Sequence, residues 1–140
     1  MEYKKFGNTF GVRLDPGEEV MSSLESLARK ENIRLAIVNG IGATNEVVLG
    51  VFDADEKKYH STMLDGNFEI TGLGGNINRM NGEIYIHLHM SIGNPEEKKC
   101  YSGHMNRCVI SATAEIFVTV LDGDLDREFS QEIGLNILKF

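Results

Sequence analysis

Two of the four histidines in this chain alternate within one short segment, and they are its best candidates for chemistry. In Glu83-Ile84-Tyr85-Ile86-His87-Leu88-His89-Met90-Ser91, the apolar Ile84, Ile86, Leu88 and Met90 fall on one side of an extended strand. Tyr85, His87, His89 and Ser91 fall on the other. Side chains two apart on a strand lie roughly 7 Å apart on the same face. Two neutral imidazoles at that spacing can converge on one ion at about 2.0–2.1 Å each. A third donor must come from elsewhere. His104 in Tyr101-Ser102-Gly103-His104-Met105, where Gly103 permits a turn or bulge, and His60 in Tyr59-His60-Ser61 are the candidates, and spacing alone does not choose between them. Three histidines would leave a fourth position open for water or substrate, and a metal-bound water can be acidified to a pKa near ~7. The plain alternative is that His87 and His89 are polar residues on a solvated sheet face.

Cys100, His104 and Cys108 form a rival set at four-residue spacing. They would share a face only on a helix, which Gly103 and Asn106 disfavour. In an extended chain, positions 100 and 108 stand roughly 26 Å apart, too far to share an ion. Two free thiols is the expected reading. Gly40-Ile41-Gly42 and Gly72-Leu73-Gly74-Gly75 fit no phosphate-binding loop, since no Gly-Lys-Ser/Thr follows and neither opens a helix. Bulges or close packing explain them better. Glu69 and Glu115 lie in apolar strand patterns, where each could be a buried acid, a general base or a partner for a histidine. The commoner outcome for such a residue is an ion pair or solvent.

The elements that must position these residues are mostly strands. Thr9 to Leu14 reads as a strand. Asp15-Pro16-Gly17-Glu18-Glu19 then opens a helix, with Asp15 as N-cap and Pro16 at the first helical position. Val20, Leu24, Leu27 and Ala28 give that helix one buried face, and it ends near Lys30 or Glu31. Further strands are expected over Ile33 to Ile41, Val47 to Phe52, Tyr59 to Leu64, Phe68 to Asn76, Glu83 to Ser91, Val109 to Leu121 and Gly134 to Phe140. Asp65-Gly66-Asn67 and Asp122-Gly123-Asp124 read as turns, Pro95 to Lys99 as a polar loop, and Asn81-Gly82 as a two-residue hairpin turn. About eight or nine strands and one main helix make an α+β fold dominated by antiparallel sheet. An all-β barrel with a decorative helix is the runner-up.

A length of 140 residues, 41% apolar and 25% charged, suits a single soluble domain over residues 1–140. Twenty-one acidic residues against 14 basic ones leave a net charge of −7. Affinity for nucleic acid comes largely from Lys and Arg replacing counterions, so this balance opposes direct binding to DNA and to anionic membrane. The pairs Lys4-Lys5, Arg29-Lys30, Lys57-Lys58 and Lys98-Lys99 are scattered among acids. No apolar run approaches a membrane span, no signal-peptide pattern opens the sequence, and the two cysteines make no disulfide framework. A cytoplasmic, reduced protein is expected.

The order of motifs resembles the plants-and-prokaryotes-conserved (PPC) domain family in its prokaryotic form. Arg13-Leu14-Asp15-Pro16-Gly17-Glu18 stands before the helix, Asn39-Gly40-Ile41-Gly42-Ala43 after it, then Phe68-Glu69-Ile70 and Gly75-Asn76-Ile77. His87-Leu88-His89, Gly103-His104, Ala114-Glu115 and Gly134-Leu135 complete a match that spans nearly the whole chain. The resemblance implies a homotrimer and a metal, commonly zinc or another divalent transition ion, at His87, His89 and His104. That choice of His104 over His60 comes from the resemblance. Plant members carry AT-hooks and bind DNA, and prokaryotic relatives share the DNA-binding label. This chain has no Arg-Gly-Arg-Pro hook, and the plant Gly-Arg-Phe-Glu-Ile stands as Gly66-Asn67-Phe68-Glu69-Ile70. The expected function is a metal-binding homotrimeric module with a regulatory role, or one that holds a small molecule at the metal. The alternatives are a zinc-dependent hydrolase or lyase using the three histidines, and a DNA-associated regulator.

Overall fold

Alternating apolar and polar residues pair into long antiparallel ladders that wrap one helix. A computed structural model describes residues 1–140. The order is β1 (Glu2–Phe6), β2 (Thr9–Leu14), α1 (Val20–Lys30), β3 (Ala36–Asp53), β4 (Lys58–Met80), β5 (Glu83–Asn94), β6 (Lys99–Val120), β7 (Asp126–Ser130) and β8 (Leu135–Lys139). Six strands form one sheet in the order β1-β2-β6-β3-β4-β5, and β7 and β8 form a separate hairpin. The class is α+β, as the sequence predicts. Strand β5 also pairs with β6, so β6, β3, β4 and β5 close on themselves. The barrel-like closure of the runner-up reading is therefore present within the α+β fold.

The core is one cluster of 25 buried apolar residues. Helix α1 gives Val20, Leu24, Leu27 and Ala28 to it, the face its spacing predicts, and contacts β5 and β6. Leu88, Met90 and Ile92 of β5 point into the same cluster. That leaves Tyr85, His87 and His89 on the outer face of the sheet.

Three expectations need correction. The helix starts at Val20, not at Pro16, and its N-cap is Glu19, whose carboxylate accepts from the backbone N–H of Met21 (2.9 Å) and Ser22 (2.8 Å). The preceding segment is tied to β6 instead, because Gly17 N–H donates to the Ile110 carbonyl and Ile110 N–H to that of Glu18. Next, the strands expected on either side of residues 42–46 and of Asp65-Gly66-Asn67 are continuous. β3 and β4 pass through those places with register shifts at Gly40/Gly42 and Thr44/Glu46, so the small residues bend the strands and do not break them. Finally, β6 reaches back to Lys99, and β1 and β7 carry no pattern that marked them as strands.

The Asn81-Gly82 turn is as expected, with φ of 53° and 84°, the left-handed pair that a tight hairpin needs. Gly75 has a different role. It lies opposite Leu88, and a Cβ there would stand 1.9 Å from the His87 carbonyl oxygen. Gly75→Ala must therefore push β5 away from β4 at the histidines, at a cost of about 1–3 kcal/mol or more. Gly72→Ala, whose Cβ would meet nothing within 4 Å, serves as the control. Thermal or urea unfolding should show a clear loss for the first and little change for the second. Equal midpoints would show that the close approach has no energetic weight.

Candidate metal centre

His87 and His89 are two residues apart on β5, so both imidazoles leave the same face. His104 on β6 is paired directly opposite His89, and Gly50 of β3 is opposite His104 on its other side. The three ring centroids stand 5.0 to 5.4 Å apart. One donor nitrogen of each residue lies within 4.8 Å of the other two. Nε2 of His87 and Nε2 of His89 are 3.3 Å apart. His87 and His104 are half-buried and His89 is exposed.

The remaining sequence candidates do not join them. His60 is exposed on β4 opposite Val51 and lines a different depression beside Leu64 and Tyr101. Cys100 is an exposed free thiol, and Cys108 is a buried one whose pKa burial pushes up to about 11, so it offers no thiolate. Glu69 and Glu115 are exposed, the latter beside Arg13 and Phe117 on another part of the sheet. Neither is a buried acid or a partner for the histidines.

Arg127 of β7 is the residue that sequence reasoning missed. It is 5% exposed. Its Nε donates to Asn78 Oδ1 (3.1 Å), Nη1 to the Asn136 carbonyl (2.9 Å) and Nη2 to Asn76 Oδ1 (3.1 Å). Nη2 also lies 3.4 Å from His87 Nδ1, and the guanidinium stacks 4.6 Å from the Tyr85 ring. Half of this arrangement was readable. Counting outward from the Asn81-Gly82 turn pairs Asn78 with Tyr85 and Asn76 with His87, which puts both asparagines on the histidine face. Nothing in Asp126-Arg127-Glu128 signalled that its Arg would turn inward.

A cleft of about 880 Å³ opens over the imidazoles. Phe52, Tyr59, Tyr85 and Leu135 wall it, and Lys57 stands at its rim. Tyr59 meets His104 edge-on at 5.9 Å and donates its hydroxyl to Asn106 Oδ1. No Asp or Glu lines the cleft.

Burial, followed by the positive fields of His104, Arg127 and His89, pushes the His87 pKa from 6.5 down to about 4. Burial and His89 lower that of His104 as well. Neutral imidazoles are what a metal ion requires. Three nitrogen donors on rigid paired strands, with one side open to a cleft, fit a borderline-soft divalent ion such as Zn²⁺. The same shift sets a pH dependence for the metal-free protein. The unfolded chain takes up the His87 proton near 6.5 and the folded chain only near 4. The unfolded state thus binds more protons between these values, so stability is complete above about pH 6.5 and declines as pH falls toward about 4. NMR titration of the metal-free protein should give one histidine a midpoint near 4, and the thermal midpoint should fall over the same interval. A His87 midpoint at the ordinary 6.5 would contradict this.

Comparison with known proteins gives a consistent set of likenesses. The model of the Plants and Prokaryotes Conserved (PCC) domain matches residues 1–122. A chain from Bacteroides thetaiotaomicron, called a "putative DNA binding protein", is 30% identical with a TM-score of 0.95, covering 99% of this chain and 96% of that one. A metal-containing protein from Archaeoglobus fulgidus is 27% identical with a TM-score of 0.89, covering 100% and 99%. A plant- and prokaryote-conserved protein from Pyrococcus horikoshii is 31% identical with a TM-score of 0.86, covering 99% and 95%. Among curated proteins, the bifunctional protein GlmU of Synechococcus sp. (strain JA-3-3Ab) is 27% identical over 125 residues, 88% of this chain and 18% of that relative's own length.

Proposed function

The chain belongs to the Plants and Prokaryotes Conserved (PCC) domain family, and on that premise we propose that it is a metal-binding, ligand-holding or regulatory module in which His87, His89 and His104 grip one divalent transition ion, zinc foremost. The observation that carries this reading is the convergence of one nitrogen from each imidazole within 4.8 Å. The metal-containing relative from Archaeoglobus fulgidus supports it. When bound, such an ion supplies Lewis acidity at its open side. The chain's own residues do the rest: β5 and β6 hold the imidazoles, the Arg127 network fixes the flank of His87, and the aromatic walls restrict solvent.

The reading extends to one domain over residues 1–140 working in the cytoplasm, and to a homotrimer. No helix is long and apolar enough to cross a membrane. Phe6, Ile41 and Phe117 are each more than half exposed, and the last two lie on the outer face of the main sheet. A face of that kind is a candidate for self-association. Replacing Phe117 by Asp should lower the sedimenting mass from that of a trimer; an unchanged mass would remove this face from the interface.

The cleft beside the histidines favours a second reading, a zinc-dependent hydrolase or lyase, but no carboxylate lines it to serve as a base. The binding reading is preferred for that reason. DNA binding comes to this chain by analogy with its relatives, while a net charge of −7 opposes it.

Protein purified without a histidine tag and dialysed with zinc should hold one ion per chain. Changing an outer partner of a ligand commonly costs about 10–100-fold in affinity, so His87→Ala, His89→Ala and His104→Ala should each cost at least that much. His60→Ala should leave affinity unchanged. No bound zinc, or an equal loss in His60→Ala, would overturn the assignment.

A further inference from the structure

We propose that the cleft over the three imidazoles receives a small organic carboxylate with a planar or apolar body; this rests on the metal reading above. The first support is charge. The chain has 21 acidic residues, yet none lines this cleft. Lys57 stands at its rim, and its ammonium spends one N–H on the Gln131 carbonyl (3.0 Å), leaving two for other acceptors. Behind the wall, the guanidinium of the buried Arg127 contacts amide oxygens, a carbonyl and an imidazole but no carboxylate; only its backbone N–H meets one, that of Asp126. Its charge is not neutralised by the protein. An ion held by three neutral imidazoles adds two more positive charges without a protein counter-charge. Concentrated positive charge next to an open cleft, in a chain that is acidic overall, selects an anion.

The second support is shape. Phe52, Tyr59, Tyr85 and Leu135 give the walls large apolar faces. A bare inorganic anion would leave those faces wet. A volume of about 880 Å³ lies within the range of small-molecule sites and is too restricted for a folded macromolecule. An aromatic or branched carboxylate satisfies both features: its head group meets the imidazoles and Lys57, and its body covers the aromatic walls. A cationic ligand of the same shape would meet repulsion from the same groups.

Benzoate is a suitable probe, with acetate as the head group alone and benzylamine as the same ring with the opposite charge. The intact protein is first stripped and reloaded, and its zinc content measured. Each probe is then titrated by calorimetry. Burial of a ring should make benzoate bind about 10-fold or more tighter than acetate. Benzylamine should not compete. Lys57→Met should weaken benzoate severalfold without changing zinc content. Tyr59→Ala should shrink the preference for benzoate over acetate. If zinc loads but benzoate binds no better than acetate, or benzylamine binds as well, the carboxylate inference is overturned and the metal centre stands. If zinc does not load, the metal reading fails, and this inference fails with it.

Discussion

The site depends on how the sheet closes. Strand β5 is paired with β4 from Glu83 to Gly93, but only its second half, from His89 to Asn94, also pairs with β6. His89 opposite His104 is the last rung of that closing ladder. Before it, at His87 and Tyr85, β5 is no longer backbone-paired with β6, and β6 continues past His104 along β3 toward β2. Two imidazoles are thus fixed across the seam by backbone hydrogen bonds, and a third follows on the same strand face. The inner side of the divergence is filled by α1, and the outer side is left as the cleft. Backbone pairing, and not side-chain packing, holds the donors close together.

Electrostatics then distinguishes this centre from a common arrangement. A metal-binding histidine usually donates its second N–H to a carboxylate or carbonyl. Here a guanidinium lies 3.4 Å from Nδ1 of His87. In the free protein that contact makes Nδ1 the acceptor and leaves the proton on Nε2, facing His89. A ligand bond at Nε2 would move the proton to Nδ1, where it would face an Arg127 N–H donor held in place by Asn76, Asn78 and the Asn136 carbonyl. Loading the ion would therefore require His87 and Arg127 to shift slightly apart. Burial and the field of His104 do most to keep His87 neutral; Arg127 adds a buried positive charge to them and docks the β7–β8 hairpin onto the sheet.

Much of this was legible from residue order. Strict alternation in β5 put His87 and His89 on one face because a strand has only two faces. The apolar spacing of α1 gave its buried side, and the Asn81-Gly82 turn gave the register of β4 on β5. The choice of His104 over His60 was not available from spacing. It depends on which strands become neighbours across the seam, a contact between residues distant along the fold, and it came from family resemblance. The helix start was misread because the Gly17 N–H is taken by a carbonyl of β6, which no local rule anticipates. The bulge expected at Gly40-Ile41-Gly42 is present, but the strand break after it and the turn at 65–67 were misread because small residues that allow a turn also allow a bend in a continuous strand. Arg127 escaped notice because a cation inside a fold is explained only by its partners, and those come from β4 and β8.

The central claim is that three imidazoles share one ion. X-ray absorption at the zinc edge of the loaded protein tests it most directly. The account predicts a first shell containing three imidazole nitrogens at about 2.0–2.1 Å with the multiple-scattering signature of histidine rings. A shell with sulfur at about 2.3 Å, which would implicate Cys100, or one with a single imidazole among oxygen donors, would contradict it.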